Sequence, residues 1–191
     1  MPIKPRVLCK TRLATALSEC QRIDIVRYML RHVLQTLRAT RGIDRVCIVS
    51  AERDEVPAEI AVLADAGCGL NACLDAALLS ARAAGVTQLL VVPADLPLLH
   101  GDDVALLLDA GTRSRFALAP DRHDSGTNAI CMDAALPLGF RFGDNSCAAH
   151  LAAARALGIA PALVRTDRLA FDLDSECDLS LLRERGYFAM T

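Results

Sequence analysis

Asp95 stands between two prolines in Pro93-Ala-Asp-Leu-Pro97, directly after the apolar run Thr87-Gln-Leu-Leu-Val-Val92. A carboxylate fixed at the end of a buried strand suits a hard cation such as Mg²⁺, which takes oxygen ligands, keeps several waters and bridges one or two carboxylates to substrate phosphates. The competing role for Asp95 is a turn or helix cap. Phe171-Asp-Leu-Asp174 offers a second acid; Asp172 and Asp174 point to opposite faces of an extended segment, so one of the two reaches the metal. Lys4, Arg6, Lys10 and Arg12 put four cations within nine residues, with Pro5 stiffening the stretch. Such a set can grip a polyphosphate through several charge-assisted contacts, or it can be a solvated basic terminus.

Two further stretches suit anions. Gly67 and Gly69 alternate in Asp65-Ala-Gly-Cys-Gly-Leu-Asn71, where a strand-like segment gives way to a helix. Glycines there let a ligand approach the backbone, and the helix start supplies oriented N–H donors. The pattern is not G-x-G-x-x-G, and it also fits an ordinary turn. Around Gly126-Thr-Asn-Ala-Ile130 the chain sets Arg122, His123, Thr127, Asn128, Arg141, Gly143 and Ser146, none of which a core requires. Gly143 and Ser146 sit where a loop becomes a helix and, with the Thr127 hydroxyl, suit a small phosphate or carboxylate; separately, Ser146 reads as an N-cap and Asn128 as a turn residue. His123 and His150 flank this loop, His32 reads as packing or surface, and His100 receives no role. No G-x-S-x-G or comparable nucleophile motif occurs.

The elements that must position these groups follow from composition and period. The 191 residues are 53% hydrophobic and 23% charged, enough to bury one core, and a single domain over 1–191 is expected. Lys+Arg at 21 against Asp+Glu at 23 gives no basic excess to recruit nucleic acid, so an anion site must be local. No apolar run approaches the ~18–20 residues of a membrane span, and the start has no signal-peptide apolar region, so a cytoplasmic protein without membrane partners is expected. Eight cysteines are scattered without a C-x-x-C pair, which favours reduced thiols serving as small core residues.

Ser18 and Gln21 form a capping-box signal ahead of Ile23, Val26, Leu30, Val33, Leu34 and Leu37 at helical spacing. Further helices are predicted over 71–84, from Asp102 or Asp103 through Leu108, from Ser146 as cap to Leu157, and from Ser175 with Asp178 to Arg185. Strands are predicted at 45–50, 60–64, 87–95, 115–120, 128–132 and 161–166, the third as a continuous apolar run covered on both faces. The alternation implies an α/β sheet, largely parallel, with helices on both faces and ligands beyond the strand ends.

Taken together, Lys4-Pro5, Lys10-Thr-Arg-Leu-Ala14, Gly67-Cys-Gly-Leu-Asn-Ala72, Pro93-Ala-Asp-Leu-Pro-Leu-Leu99, Ala119-Pro-Asp-Arg-His123, Gly126-Thr-Asn-Ala129, Phe140-Arg-Phe-Gly143 with Ser146 and His150, and Asp172-Leu-Asp174 resemble one family over nearly the whole chain. It is the guanylyltransferase family of coenzyme F420 biosynthesis, which joins GMP to 2-phospho-L-lactate, phosphoenolpyruvate or 3-phospho-D-glycerate. The resemblance implies a three-layer, Rossmann-like, glycosyltransferase-A type fold with a mostly parallel mixed sheet. It implies GTP as co-substrate and Mg²⁺ as cofactor. The acceptor contacts it implies are Thr127, Gly143 and Ser146, with Arg122 and Arg141 as further contacts. It implies Asp95 with Asp172 or Asp174 as the metal pair; Lys10 and Arg12 are expected to act on the β- and γ-phosphates, and Lys4, Gly67, Gly69 and Asn71 to belong to the nucleotide. A homodimer is left open. The chain departs from the family in having only Met1, Pro2 and Ile3 before its Lys4-Pro5 element, so that a central strand is shortened or the start lies late, and in carrying Cys68 where glycine is usual. Rival readings are a molybdopterin or sugar-phosphate nucleotidyltransferase and a GTP-binding module without turnover.

Overall fold

The computed structural model describes residues 1–3, 10–51, 53, 56–64, 67 and 69–188. The first long helix, α1 (Glu19–Ala39), starts where expected: the Gln21 amide donates to Ser18 Oγ at 3.3 Å and the Ser18 amide to Gln21 Oε1 at 2.9 Å. Its buried face is Ile25, Val26, Met29, Leu30, Val33, Leu34 and Leu37. The other elements are β1 (Cys47–Ser50), β2 (Ala61–Ala64), α2 (Leu70–Ala83), β3 (Gln88–Val91), α3 (Gly101–Ser114), β4 (Phe116–Pro120), β5 (Thr127–Asp133), α4 (Ser146–Ala156), β6 (Ala162–Leu163) and α5 (Glu176–Glu184).

Strands β1 and β2 pair in parallel. Beside β1, Pro2 makes an isolated parallel bridge to Val49: the Ile3 amide donates to the Val49 carbonyl and the Val49 amide to the Met1 carbonyl, both at 2.9 Å. The second sheet runs β3-β5-β4-β6, with β5 antiparallel to β3 and β4 and β6 parallel to β4. Thus β3, β4 and β6 share one direction and β5 alone opposes it. The reversal has a local cause. Only residues 121–126 connect β4 to β5, too few for a parallel crossover, and the Asp121 amide closes the turn on the Gly126 carbonyl at 3.1 Å.

Side-chain alternation along these strands makes three layers. Ala117, Ala119, Ala129 and Cys131 join Leu34 and Leu37 of α1 and Val104 and Leu107 of α3 in one core. Phe116, Leu118, Ile130 and Met132 join Leu74 and Leu78 of α2 and Cys147 and Ala154 of α4 in the other. The central sheet is small-residue on one face and large on the other. At Gly111 an added Cβ would lie 2.5 Å from Cys131 Sγ, so α3 reaches the sheet only because that residue has no side chain. A third cluster joins Leu13, Leu17, Met29, Leu98, Phe171, Leu173 and Leu179.

Several boundaries differ from the sequence expectations. The apolar run at 87–95 is a strand only over Gln88–Val91, and Leu89 and Leu90 are half-buried rather than enclosed. It then bends into the loop that carries Asp95, while Leu96 and Leu99 stay buried. Helix α3 is capped by His100, whose Nδ1 accepts from the Asp102 amide, and it runs past Leu108 to Ser114. Asp103 is the reciprocal member of that cap and is held by Arg168 at 2.7 and 2.9 Å, which ties α3 to the segment before Leu169. Helix α4 is capped by Asn145 in the left-handed region (φ 53°), so Ser146 is its first helical residue. The six cysteines among the described residues are free thiols; Cys73, Cys131 and Cys147 are buried, and burial pushes Cys131 up to about 12.

An apolar cleft of about 640 Å³ runs between the β1–β2 pair and β3, bordered by Met1, Val49, Leu63, Leu74, Leu89 and Val91, and none of the candidate site residues borders it. Those residues gather instead at one rim of the second sheet. The carboxyl ends of β3, β4 and β6 and the amino end of antiparallel β5 all arrive there, delivering Asp95, Arg122, the 171–174 segment and Thr127.

Candidate active site

Charge converges at one end of this rim. Lys10 Nζ lies 2.8 Å from Asp95 Oδ2 and 2.8 Å from Asp174 Oδ1, and its side chain is only 9% exposed. The loop after β3 and the 171–174 segment are joined by the Leu173 amide donating to the Asp95 carbonyl at 3.1 Å. Lys10 itself adopts a left-handed backbone (φ 53°) ahead of a 3-10 turn at Thr11–Leu13, a conformation uncommon outside glycine and found where side-chain placement matters more than local comfort. Burial opposes its charge, yet Asp95 and Asp174 outweigh burial and hold the ammonium above its ordinary range. Arg12 is nearly free in solvent, with its guanidinium 3.9 Å from Asp174.

Asp172 faces the same place from below. Burial first, then the charges of Asp95 and Asp174, hold its carboxyl above the usual carboxylate range. Asn128 ties it to β5, donating to the Leu169 carbonyl at 2.9 Å and reaching Asp172 Oδ1 at 3.5 Å. Three carboxylates thus repel one another around one ammonium, an arrangement that favours a further cation. No group of three His, Cys, Asp or Glu among the described residues is arranged to hold a metal by itself. The donor set therefore fits an ion that takes a carboxylate pair from the protein and its other oxygens from water and phosphate.

Arg122 is drawn into this end as well. Its guanidinium pairs with Asp178, reaches the Asp172 carbonyl at 3.4 Å and sits 4.6 Å over the Phe171 ring. Asp178 also receives the Asp174 and Ser175 amides at 2.9 and 2.7 Å, so one buried carboxylate organises the turn into α5. Its burial works against ionisation, but these amides and Arg122 prevail and keep it below its usual range.

The other end is built around a buried imidazole. Thr127 Oγ1 lies 3.2 Å from His150 Nδ1, and the Arg141 amide donates to His150 Nε2 at 2.8 Å. His150 is fully buried, edge-on to Phe142 with centroids 5.1 Å apart. Burial lowers it to about 4; the Ser146 carbonyl works against that shift and the Arg141 charge adds to it, so the ring is neutral at physiological pH. The neighbouring amides are held in the same manner: Phe140 N–H by Asp75 Oδ1 at 3.0 Å and Phe142 N–H by Asn71 Oδ1 at 2.7 Å, while Asn71 Nδ2 donates to the Phe142 carbonyl at 2.9 Å. Three successive amides of the 140–142 loop are therefore fixed by three side chains. Among the described residues no hydrogen bond uses the next amide, that of Gly143, which has φ +130° and open space at the position of a Cβ.

A β-bulge joins the two ends. Ala119 pairs with Ala129 but Pro120 pairs with Thr127, so two residues of β5 oppose one step of β4. Uninterrupted alternation would send Asn128 with Ile130 toward α4, and Thr127 with Ala129 toward α3. The bulge exchanges them: Thr127 meets His150 of α4, and Asn128 meets Leu169 and Asp172. Adjacent residues thereby serve opposite ends of the site.

Most of the residues singled out from the sequence meet here, with exceptions. Lys4 and Cys68 lie outside the described residues. Gly67 and Gly69 have left-handed backbones, with φ of 74° and 92°, as a glycine-only turn requires. Asn71, grouped with those glycines in the sequence, spends its amide on Phe142 under the opposite loop. Arg141 is exposed, and His123 is exposed on the Asp121 turn. Asp75, Asp178 and Phe171 were not anticipated, because their partners lie far away in sequence; the one local signal was Asp178 in its capping box with Ser175.

A family model described as guanylyl transferase CofC like matches residues 1–186. The chain belongs to that family. Among curated relatives, it is 37% identical over 187 residues to a phosphoenolpyruvate guanylyltransferase of Sphaerobacter thermophilus, covering 95% of this chain and 90% of that protein. It is 34% identical over 173 residues to a 3-phospho-D-glycerate guanylyltransferase of Phenylobacterium zucineum, covering 86% and 79%. A solved structure from Desulfovibrio desulfuricans G20, provisionally described as a nucleotide-diphospho-sugar transferase, superposes with a TM-score of 0.77 at 16% identity over 98% of this chain and 86% of that one. The family is one of nucleotidyltransferase enzymes, and the Rossmann-like α/β architecture agrees with it. The rival reading of a module without turnover is not favoured.

Proposed function

We propose that this enzyme transfers GMP from GTP to the phosphate of a three-carbon phospho-acid, phosphoenolpyruvate in the first instance, and releases pyrophosphate in coenzyme F420 biosynthesis. The observation that carries the reading is the convergence, at one rim, of a charged end suited to a metal-bound polyphosphate and a neutral end suited to a small anion. An acceptor phosphate oxygen attacks the α-phosphorus of GTP; the new P–O bond forms as the bond to the bridging α–β oxygen breaks, and that oxygen's electron pair leaves with pyrophosphate. The nucleophile is already an anion at neutral pH, so no general base is required, and catalysis consists of alignment and charge stabilisation.

In this reading Asp95, with Asp172 or Asp174, holds Mg²⁺, which when bound neutralises charge on the transferred phosphate. Lys10 and Arg12 bind the β- and γ-phosphates, which requires Lys10 to exchange a carboxylate for a phosphate as the nucleotide enters. Gly67 and Gly69 admit the nucleotide, together with Lys4. Thr127, Gly143 and Ser146 take the acceptor, with the Arg141 charge near its carboxylate. Arg122 serves chiefly to brace the 171–178 segment, and Asn71 to brace the acceptor loop. No helix among the described residues is long and apolar enough to cross a membrane.

The test is pyrophosphate release from GTP, ATP or CTP with phosphoenolpyruvate, 2-phospho-L-lactate, 3-phospho-D-glycerate or a sugar phosphate, with the product mass measured. A GMP diphosphate adduct with at least one acid, dependent on Mg²⁺, is expected. Release from CTP with a sugar phosphate and none from GTP with any of the three acids would overturn the assignment.

A further inference from the structure

We propose that His150 is a positioning residue for the acceptor, acting through Thr127 and the 140–143 loop without touching the reacting atoms. The inference rests on the proposed function for the identity of the acceptor, but its geometry stands alone. A backbone N–H can only donate, so the Arg141 amide, 2.8 Å from His150 Nε2, requires a lone pair there. A neutral imidazole with a lone pair on Nε2 carries its proton on Nδ1, and Nδ1 is 3.2 Å from Thr127 Oγ1. Thr127 therefore cannot donate to His150, and its own O–H is left to donate outward. A hydroxyl that must donate is suited to a phosphate or carboxylate oxygen.

The same ring fixes a second contact. Through Nε2 it anchors Arg141, and two residues on, the Gly143 amide stands unengaged among the described residues. One buried ring thus sets both a hydroxyl and a loop amide as donors to one anion. The β-bulge is what brings Thr127 to it. Asp75 and Asn71 hold the flanking amides, so the loop stays near its place when only the His150 contact is lost.

The consequence is a split in kinetic effects. His150→Phe keeps ring bulk against Phe142 but removes both hydrogen bonds; the KM for phosphoenolpyruvate should rise roughly tenfold to a hundredfold, the range for losing a hydrogen bond to a charged group, with the KM for GTP unchanged. Thr127→Val added to His150→Phe should cost at most about twofold more, because without His150 the Thr127 hydroxyl is no longer held as an outward donor and little remains for its removal to take away. His150→Asn, which keeps a donor near Nδ1, and His150→Gln, which keeps an acceptor near Nε2, should each recover part of the loss. Equal changes in both KM values, or a full additional effect of Thr127→Val, would overturn the proposal. Where a variant fails to fold, ¹⁵N NMR of histidine-labelled wild-type protein at pH 7 decides it: His150 protonated on Nδ1 is expected, and protonation on Nε2 or on both nitrogens contradicts it. A wild-type protein that turns over none of the three acids, yet shows the Nδ1–H form, would refute the proposed reaction and leave the His150 geometry standing.

Discussion

At the Asp95 end of the rim, opposed charges from three distant segments meet and are only partly covered, whereas at the Thr127 end a neutral imidazole, an amide and one carboxylate hold successive backbone amides of a single loop. The first end is electrostatic, and under the proposed reaction its ammonium and carboxylates would exchange partners as a polyphosphate and a cation arrive. The second is geometric and preset, since its donors are aimed before any ligand is present. A reaction between two anions needs both: a place that absorbs shifting charge, and a place that holds the nucleophile still.

The largest effect should fall on the charged end. Asp95→Asn should lower turnover by ~10²–10³, the cost typical of losing one preorganised electrostatic contact, while thermal unfolding shows the protein still folded. Near-normal turnover would break the division. Next, Asn71→Ala removes two hydrogen bonds to Phe142, each of about 1 kcal/mol, so the acceptor KM should rise roughly tenfold to thirtyfold in steady-state kinetics. An effect confined to the KM for GTP would return Asn71 to the nucleotide loop, where its sequence neighbours suggested it belonged.

Acid should reach the neutral end first. His150 sits at about 4 in the folded protein against an ordinary value of 6.5. As the pH falls between those values the unfolded chain takes up a proton that the folded protein does not, so stability declines, by an amount on the order of 3 kcal/mol over the whole window. Denaturant unfolding from pH 7 to 4.5 should show that slope in wild type and lose most of it in His150→Asn. The depressed carboxylates Asp103 and Asp178 act in the same direction only at lower pH. The smallest effect belongs to Arg12→Ala: at 3.9 Å and largely in solvent, its pair with Asp174 should be worth less than about 1 kcal/mol, so urea midpoints should barely move even as the KM for GTP rises.

The charged end was legible in the sequence because its signal is local. A carboxylate between prolines behind an apolar run, and cations clustered ahead of the first helix, announce themselves without knowledge of their partners. The capping boxes at Ser18 and Ser175 were legible for the same reason. What escaped was long-range or conformational. Asp75 and Asn71 serve a loop that begins 65 residues beyond Asp75, and nothing in an alanine-rich helix marks them for it. The direction of β5 is not encoded in its apolar run, only in the shortness of the turn before it. The bulge at Thr127 reverses the facing that alternation would assign, so Thr127 and Asn128 could be suspected but not aimed. Histidine at the α3 cap and asparagine in a left-handed cap before Ser146 gave way to serine and aspartate as the more familiar choices.

The division of labour is tested most directly by a crystal structure with Mn²⁺, a non-hydrolysable GTP analogue and phosphoenolpyruvate. The account predicts an anomalous peak on Asp95 together with Asp172 or Asp174, Lys10 moved onto a nucleotide phosphate, and phosphoenolpyruvate donated to by the Thr127 hydroxyl with its phosphate facing the α-phosphorus. Manganese away from Asp95, or phosphoenolpyruvate bound out of reach of Thr127, would contradict it.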